Sequence, residues 1–517
     1  MENQSENTKR IAKNTLMLYV RMLFGMLVSL YTSRVVLQAL GVEDYGIYNV
    51  VGGFVAMFSM ISSSLSSSVS RFLTFELGRG DMEQLKKVFS TSLCIHLALA
   101  GVVFLAAESV GVWFLNTQMT IPADRLYAAN WVFQASLVAF MFGLFSVPYN
   151  ASIVAHERMT AFAYIGILDI ILRLFIILFI AYAPFHFDRL IIYSLLLVVL
   201  GISMQAVYWI YCKHHFEECR LQFRFYRDTW KVMSAFAGWN FIGCTAVLLK
   251  DQGVNILLNL FIGPVINAAR AIAGSVNNVL SSFASNFMTA LNPQITKSYA
   301  AGDYSYMFSL VERGSRFSYY ILLVFALPVL FETDFILTLW LKSYPEHTVN
   351  FVRLVLLVTM CDILSNTLIN LQLATGKLRN YQLAVGGMLL MNFPLSYICL
   401  KLGFPPESVL IVALLVAVCC LLLRLLFLRK MVGLPVRRYL YKVCGNVVVV
   451  TFAALLLPLL FMWQMQDGFQ RFLIVSLLSV ICTFGSIYWI GCTSHERDFV
   501  RAKVLAVLKN KYAYIHR

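Results

Sequence analysis

The chain alternates runs of about twenty apolar residues with short polar segments. A helical run of that length crosses the roughly 30 Å hydrocarbon core of a bilayer. Such runs lie near 16–37, 47–69, 90–114, 129–152, 162–182, 190–211, 236–262, 266–290, 317–340, 350–373, 381–400, 408–428, 444–463 and 470–492. They predict an all-α membrane protein of about fourteen transmembrane helices. No soluble domain is expected, since the longest polar segments are only 212–231, the stretch after Pro293 and the tail from Ser494.

Polar residues inside the runs fall at helical spacing. The stretch CTAVLLKDQGVNILLNLFIG, 244–263, carries Lys250 and Asp251 at its centre; Asp251, Asn255 and Asn259 recur every four residues and Asn240 lies eleven back. These share one side of a helix. The tenth run repeats the pattern with Asp362, Asn366 and Asn370. The eighth carries Asn267, Arg270, Gly274, Asn277, Ser281 and Ser285, and the first carries Arg21, Gly25, Ser29 and Thr32. Two readings stand: seams in which small and amide residues join membrane helices, or helix sides that face water.

The charges fit the packing reading less well. A lysine or aspartate at the bilayer centre costs about 2.5–3.5 kcal/mol on insertion scales, so Lys250 and Asp251 together would cost roughly 5–7 kcal/mol in lipid. Adjacent residues point about 100° apart on a helix and are not expected to pair easily. Asp169 and Arg173, at i and i+4, are expected to neutralise one another, and Arg34, Glu108 and Arg353 lie near enough to run ends to snorkel. Arg21, Lys250 and Arg270 remain as candidates for a cationic cavity, with Asp251 and Asp362 as candidates for ion coupling or charge balance.

The composition, 60% hydrophobic and 13% charged, agrees with a membrane protein. With both termini placed in the cytoplasm, 29 of the 41 Lys and Arg fall in inner segments and 5 in outer loops, the bias that sets an N-in, C-in orientation. The net charge of +15 is thereby accounted for by the membrane, and nucleic acid is not expected as a partner. No small-residue cleavage site follows the first run, which reads as an uncleaved span. The tail SHERDFVRAKVLAVLKNKYAYIHR reads as an interfacial helix on anionic lipid. Eleven cysteines are scattered along the chain, only Cys419 and Cys420 being adjacent, with no disulfide framework. In CKHHFEEC, Cys212, His214, His215 and Cys219 have the residue types of a zinc site, although loops leaving a span are often rich in such residues. No Gly-rich phosphate loop, Ser-His-Asp signature or HExxH appears, and no cofactor or catalytic residue is called for.

A shift of 222 residues lays Gly41 on Gly263, Gly52 on Gly274, Ser59 on Ser281, Ser63 on Ser285 and the pair Gly80, Asp81 on Gly302, Asp303; AHERM at 155–159 echoes ATGKL at 374–378. Six spans per copy is an even number, so the copies are parallel. The expected organisation is two pseudo-symmetric six-helix bundles plus two C-terminal helices. The corresponding domains are 1–232 with its linking loop, 233–430, and 431–517 with the basic tail.

Twelve spans in two lobes plus two more, with basic residues in the leading spans of each lobe, resemble the multidrug, oligosaccharidyl-lipid and polysaccharide exporter superfamily. ALGVEDYGIYNVV, WFLNTQMTIPADRLYAANWVFQ, SVPYNASIVAHERMTAFAYI, FAGWNFIG, DQGVNILLNLFIGPVINAARAIA, NFMTALNPQITKSYAAGD, LPVLFETDFILTLWLK and LATGKLRNYQ resemble segments of its polysaccharide biosynthesis members, the Wzx-type O-antigen and capsule flippases. The resemblance runs from about residue 8 to 440. It implies an inner-membrane protein that moves an undecaprenyl-pyrophosphate-linked oligosaccharide outward by alternating access. Its partners would be that lipid carrier, membrane lipids and the polysaccharide polymerase machinery. Arg21, Lys250 and Arg270 would match the family's use of cationic cavity residues, with the sugars meeting Asn240, Asn255, Asn259 and Asn277.

Three rivals are set against this reading. A cation-coupled multidrug exporter of the same superfamily relies on intramembrane acids, and the first run contains no Asp or Glu. A lipid II flippase shares the physics with a different head group. A membrane polysaccharide polymerase or ligase typically needs a large outer loop for its chemistry, and the outer loops here are short.

Overall fold

A computed structural model describes residues 2–40, 44, 47–48, 51, 59–117, 121–182, 188–220, 224–262, 264–494, 496–498 and 501; for residues 2–10 and some others, Arg34 and Asn259 among them, it describes the backbone alone. Among the described residues the chain is helical with no strand. The main helices are α1 (Glu2–Leu40), α2 (Ser59–Arg79), α3 (Met82–Thr117), α4 (Leu126–Ala155), α5 (Met159–Tyr182), α6 (Arg189–His215) and α7 (Arg227–Phe261). They continue with α8 (Pro264–Ala300), α9 (Tyr304–Phe331), α10 (Thr348–Thr375), α11 (Arg379–Lys401), α12 (Ser408–Val432), α13 (Val436–Gln464) and α14 (Phe469–Gly491). A short helix, Thr333–Leu341, follows α9.

Eleven of these are long and apolar enough to cross a membrane, and the chain is a multi-pass membrane protein. Among the described residues the other three, α2, α7 and α8, do not reach that length of apolar run; they are the Ser-rich helix and the two that carry the densest polar stripes. The expected interfacial helix of the tail lies almost wholly outside the described residues.

Turns are made where the sequence supplies the residues for them. Gly80 and Gly302 both take φ of 75°, which glycine adopts without the Cβ clash other residues meet. At each, the glycine N–H donates three residues back, to Leu77 O and Tyr299 O, and the next aspartate N–H donates five back, to Glu76 O and Ser298 O. This is the hydrogen-bonded helix ending that satisfies the last carbonyls of a helix. The two Gly-Asp turns related by the 222-residue shift therefore share one geometry. Glu157 (φ 59°) and Gly376 (φ 75°), the centres of AHERM and ATGKL, are likewise both left-handed.

The chain forms two compact units. Unit 1 comprises Met1–Cys244, Thr289–Tyr304 and Gly376–Arg379; unit 2 comprises Thr245–Met288, Ser305–Thr375 and Asn380–Arg517. The division falls inside α7 and α8. In unit 1, α4 packs along α6 and α1 along α5, over a core that includes Ala107, Leu115, Val132, Phe133 and Leu137. At one end of this unit Arg125 pairs with Asp44 and with Asp188, the latter at 2.6 Å, while Asp188 Oδ1 also accepts the N–H of Leu190 at 2.9 Å and caps α6. At another point Glu157, its side chain only 1% exposed, accepts Lys297 Nζ at 2.6 Å and Gln294 Nε2. In unit 2, α10 packs along α12 and α13 along α14, with Tyr381, Val385, Val412, Val416 and Cys420 in one buried cluster. α14 is far less buried than α9, and its exposed Leu477, Ile481 and Phe484 are suited to lipid.

Candidate functional site

In unit 1, α1, α4, α5 and α6 surround a cavity of about 800 Å³ whose lining includes Arg21, Ser146, Gly166, Asp169, Arg173 and Tyr208. The stripe on α1 places Arg21 against α5, where its guanidinium lies over the Phe162 ring at 4.5 Å from the centroid. It fits because residue 166 is glycine. A Cβ at Gly166 would collide with Arg21 Nε and stand 2.9 Å from its Cδ and Cζ. Asp169 takes Arg173, Nε to Oδ2 3.0 Å, as the i, i+4 spacing predicts. Among the described residues Arg21 makes no ion pair with a carboxylate, so the three charges on this cavity leave a formal surplus of one positive. Ser146 Oγ donates to Gln205 Oε1 at 2.6 Å, adding a neutral polar flank.

Unit 2 holds a second charged cluster. Lys250 and Asp251, expected not to pair easily, are an ion pair with Nζ 3.8 Å from Oδ1. The four-carbon lysine stem is long enough to swing across the 100° that separates neighbouring Cβ atoms. Arg270 reaches back from α8 to the same residue, with Nη2 3.2 Å from Asp251 O and 3.9 Å from Oδ1. Lys250 and Arg270 are largely buried, with side chains 13% and 16% exposed, whereas the Asp251 side chain is 53% exposed. One half-exposed carboxylate thus serves two sheltered cations. Asp362 on α10 lies within electrostatic reach of Lys250, Asp251 and Arg424. Arg424 on α12 donates through Nε to Tyr381 OH at 3.1 Å. Three cations against two acids again leave one positive charge over.

Arg424 and Tyr381 did not emerge as site candidates from the sequence. The signal was present, an arginine in the middle of LLLRLLFL, but nothing in the spacing ties it to Asp362 on another helix. The amide candidates separate. Asn240 is only 7% exposed and donates through Nδ2 to Ser64 Oγ at 3.4 Å and Ser64 O at 3.5 Å. With Ser64 Oγ donating to Ala237 O at 2.9 Å and Ser68 Oγ to Met233 O at 3.3 Å, it belongs to an α2–α7 packing seam, where serines let backbones approach. Asn277 is half-buried; its Oδ1 is shielded from solvent and has no hydrogen-bond partner among the described residues, an unsatisfied polar atom that a water or a ligand hydroxyl would complete. Asn255 is half-buried, and the Asn259 side chain lies outside the described residues.

The cluster with zinc-type residues is not assembled. Cys212 and Cys219 are buried close to each other, and Cys212 Sγ donates to Tyr149 O at 3.5 Å. His214 and His215 are exposed, His215 stacking on Tyr211. Among the described residues no three His, Cys, Asp or Glu gather to hold a metal.

A sequence model of the polysaccharide biosynthesis protein family matches residues 9–299. EpsK, an uncharacterized membrane protein of Bacillus subtilis (strain 168), is 22% identical over 296 residues, 57% of this chain. The match covers 58% of that relative's own length. Among solved structures, a multidrug resistance MATE family transporter of the MOP superfamily in its outward-facing conformation is 14% identical. It superposes with a TM-score of 0.69 over 83% of this chain and 97% of its own. A MOP superfamily transporter from Pyrococcus furiosus Vc1 (DSM3638), described as having a binding pocket of reverse polarity, is 12% identical with a TM-score of 0.67, covering 83% and 96%. At these identities the likeness is one of fold.

Proposed function

We propose, from the premise that the chain belongs to the polysaccharide biosynthesis protein family, that it carries an undecaprenyl-pyrophosphate-linked oligosaccharide from the inner to the outer leaflet of the bacterial inner membrane by alternating access. The observation that carries this reading is the uncompensated positive charge in each unit: Arg21 in the unit 1 cavity, and Lys250 with Arg270 around the single Asp251. Charge-assisted bonds from guanidinium and ammonium groups suit a pyrophosphate. The half-exposed acid keeps the cations solvated and in place when no cargo is bound.

Two further points support the reading. Among the described residues α7 and α8 fall short of a membrane-spanning apolar run and carry the densest polar stripes, as helices that border water would; counted with α2 and the eleven apolar helices they give the fourteen spans, both termini inside, of this reading. An inside-negative potential of 100 mV also favours outward movement of about two negative charges by roughly 4.6 kcal/mol, at about 2.3 per charge. The sugars would meet Asn277 and Asn255, while Asn240 is assigned to packing.

A second reading, a cation-coupled multidrug exporter, draws on the half-exposed Asp251 and on Asp362 together with the shared MATE fold. One structural relative is described as having a pocket of reverse polarity that suggests a different function; in this chain the surplus positive charge favours an anionic cargo. The test is deletion of the gene followed by mass spectrometry of lipid-linked glycans. The proposal expects them to accumulate on the inner leaflet and to clear with the wild-type chain but not with Arg21→Ala. Normal surface polysaccharide after deletion, with dye extrusion that depends on Asp251, would replace it by the second reading.

A further inference from the structure

α13 and α14 each contain one π-helical turn, Leu440–Gly445 and Ile487–Gly491, and the two turns are joined. Asn446 Nδ2 donates to Ile490 O at 3.2 Å, Tyr320 OH on α9 donates to Asn446 Oδ1, and Arg316 Nη1 donates to Gly491 O at 2.7 Å. Residue 491 must be small, because a Cβ there would stand 2.9 Å from Tyr320 Oη. An extra residue in a helical turn widens it and frees carbonyls, and such turns collect at functional sites. Here both border one cavity of about 430 Å³ in unit 2, within the about 300–1,000 Å³ of small-molecule sites.

The walls of this cavity are of two kinds. Arg313, Arg316, Arg438 and Lys442 form the basic wall. Two acids face it: Glu312 takes Arg438 at 2.6 Å, and Glu496 takes Arg316 at 2.9 Å and Arg313 at 3.4 Å. Four cations against two carboxylates leave two positive charges, and Lys442 is exposed with no ion pair among the described residues. On the other flank Val449 and Ile490 line the cavity while remaining 52% and 40% exposed, with Trp489 of the same π turn 71% exposed. A basic pocket beside apolar side chains that open to lipid is complementary to a phosphate that carries acyl chains. The segment 429–443, which supplies Arg438 and Lys442, holds five of the basic residues that the charge bias puts on the cytoplasmic side.

We propose that this cavity is a site for the phosphate of an anionic glycerophospholipid of the cytoplasmic leaflet, with acyl chains lying along Val449 and Ile490. Glu312 and Glu496 hold three guanidiniums in position, and Lys442 supplies the unpaired charge. The site is distinct from Arg21, Lys250 and Arg270 and does not depend on what cargo they take.

The test is native mass spectrometry of the purified full-length chain in neutral detergent, offered phosphatidylglycerol, phosphatidylcholine or inorganic phosphate. The wild type is expected to retain phosphatidylglycerol over phosphatidylcholine. Lys442→Glu, a change at an exposed and unpaired position, is expected to lower that retention about tenfold, the worth of one charge-assisted contact, with an unchanged lipid-free melting temperature. Lys442→Gln should give an intermediate loss. Equal retention of both lipids, or no effect of Lys442→Glu, overturns the proposal. Thermal stabilisation by inorganic phosphate equal to that by phosphatidylglycerol reassigns the cavity to a soluble anion, and displacement of phosphatidylglycerol by a polyprenyl diphosphate at lower concentration reassigns it to the cargo; either result also overturns it.

Discussion

Gly166→Ala separates the function of Arg21 from its part in holding the fold together. The added methyl would occupy the space of the Arg21 side chain, whose Cδ and Cζ lie 2.9 Å from that position. The atoms that must yield are the far end of a flexible side chain in an open cavity, so the backbone has no reason to move. Alanine in place of glycine within a helix contributes about 0.5–1 kcal/mol to stability. The displaced guanidinium gives up its contact over Phe162, worth about 0.5–2 kcal/mol. The two nearly offset one another, and the thermal midpoint should stay within a few degrees of wild type. Transport is a different matter. A guanidinium bond to phosphate contributes about 1.5–3 kcal/mol, so its misplacement should weaken cargo binding by roughly 10- to 150-fold. The assay is restoration of surface polysaccharide in a deletion strain at matched membrane levels, alongside thermal unfolding in detergent. Gly201→Ala is the control, because a Cβ there would meet Ala139 at an ordinary 3.7 Å in the lining of the same cavity. Full transport by Gly166→Ala at wild-type stability would refute the role given to Arg21, and equal losses from both substitutions would refute its specificity.

Other outcomes follow from single contacts. In a background freed of native cysteines, Asn277→Cys should react with water-soluble thiol reagents and Asn240→Cys, in the seam with Ser64, should not; the reverse pattern would exchange the packing and cavity assignments. Arg471→Leu strands the Glu332 carboxylate, 1% exposed and held at 2.9 Å, and should cost about 3–5 kcal/mol, most of it recovered with Glu332→Leu in the same chain; denaturant titration measures both. Burial alone would push the Glu407 carboxyl up, but hydrogen bonds from Asn350 at 3.0 Å and His347 at 2.7 Å outweigh it and hold it below the usual carboxylate range. A depressed folded-state value means this contact stabilises the loop above the ordinary glutamate range and is lost as pH falls through that lower value. Proteolysis near Glu407 should therefore rise on acidification, and Glu407→Gln should remove the pH step; a step that survives the substitution would assign it elsewhere.

The helices were legible because apolar runs of membrane-spanning length have few other folds open to them. The Gly-Asp turns at 80 and 302 were legible too, since only glycine takes that backbone conformation without strain and the 222-residue shift lines the two up. Contacts between helices were not. The Lys250–Asp251 pair was missed because Cβ directions alone do not fix where a long lysine ends. Arg270 closes on Asp251 through the register of α7 against α8, which periodicity within each helix leaves undetermined. Asn240 has the same spacing as Asn255, yet it meets Ser64 at 3.4 Å, and a stripe read from one helix does not say whether water or a second helix covers it. The segments ALGVEDYGIYNVV and WFLNTQMTIPADRLYAANWVFQ stood out separately in the sequence; the Asp44–Arg125 pair that joins them required the folded chain.

Surplus positive charge in the two units is assigned to receive an anionic lipid carrier. The most direct test is leaflet-to-leaflet movement of a fluorescent polyprenyl-diphosphate oligosaccharide in proteoliposomes carrying an imposed membrane potential. Movement should speed up when the potential drives anions toward the receiving leaflet and slow when its sign is reversed. It should fall at least tenfold in each of Arg21→Ala, Lys250→Ala and Arg270→Ala. Equal rates at both signs of potential, with all three variants moving the carrier as the wild type does, would contradict that assignment.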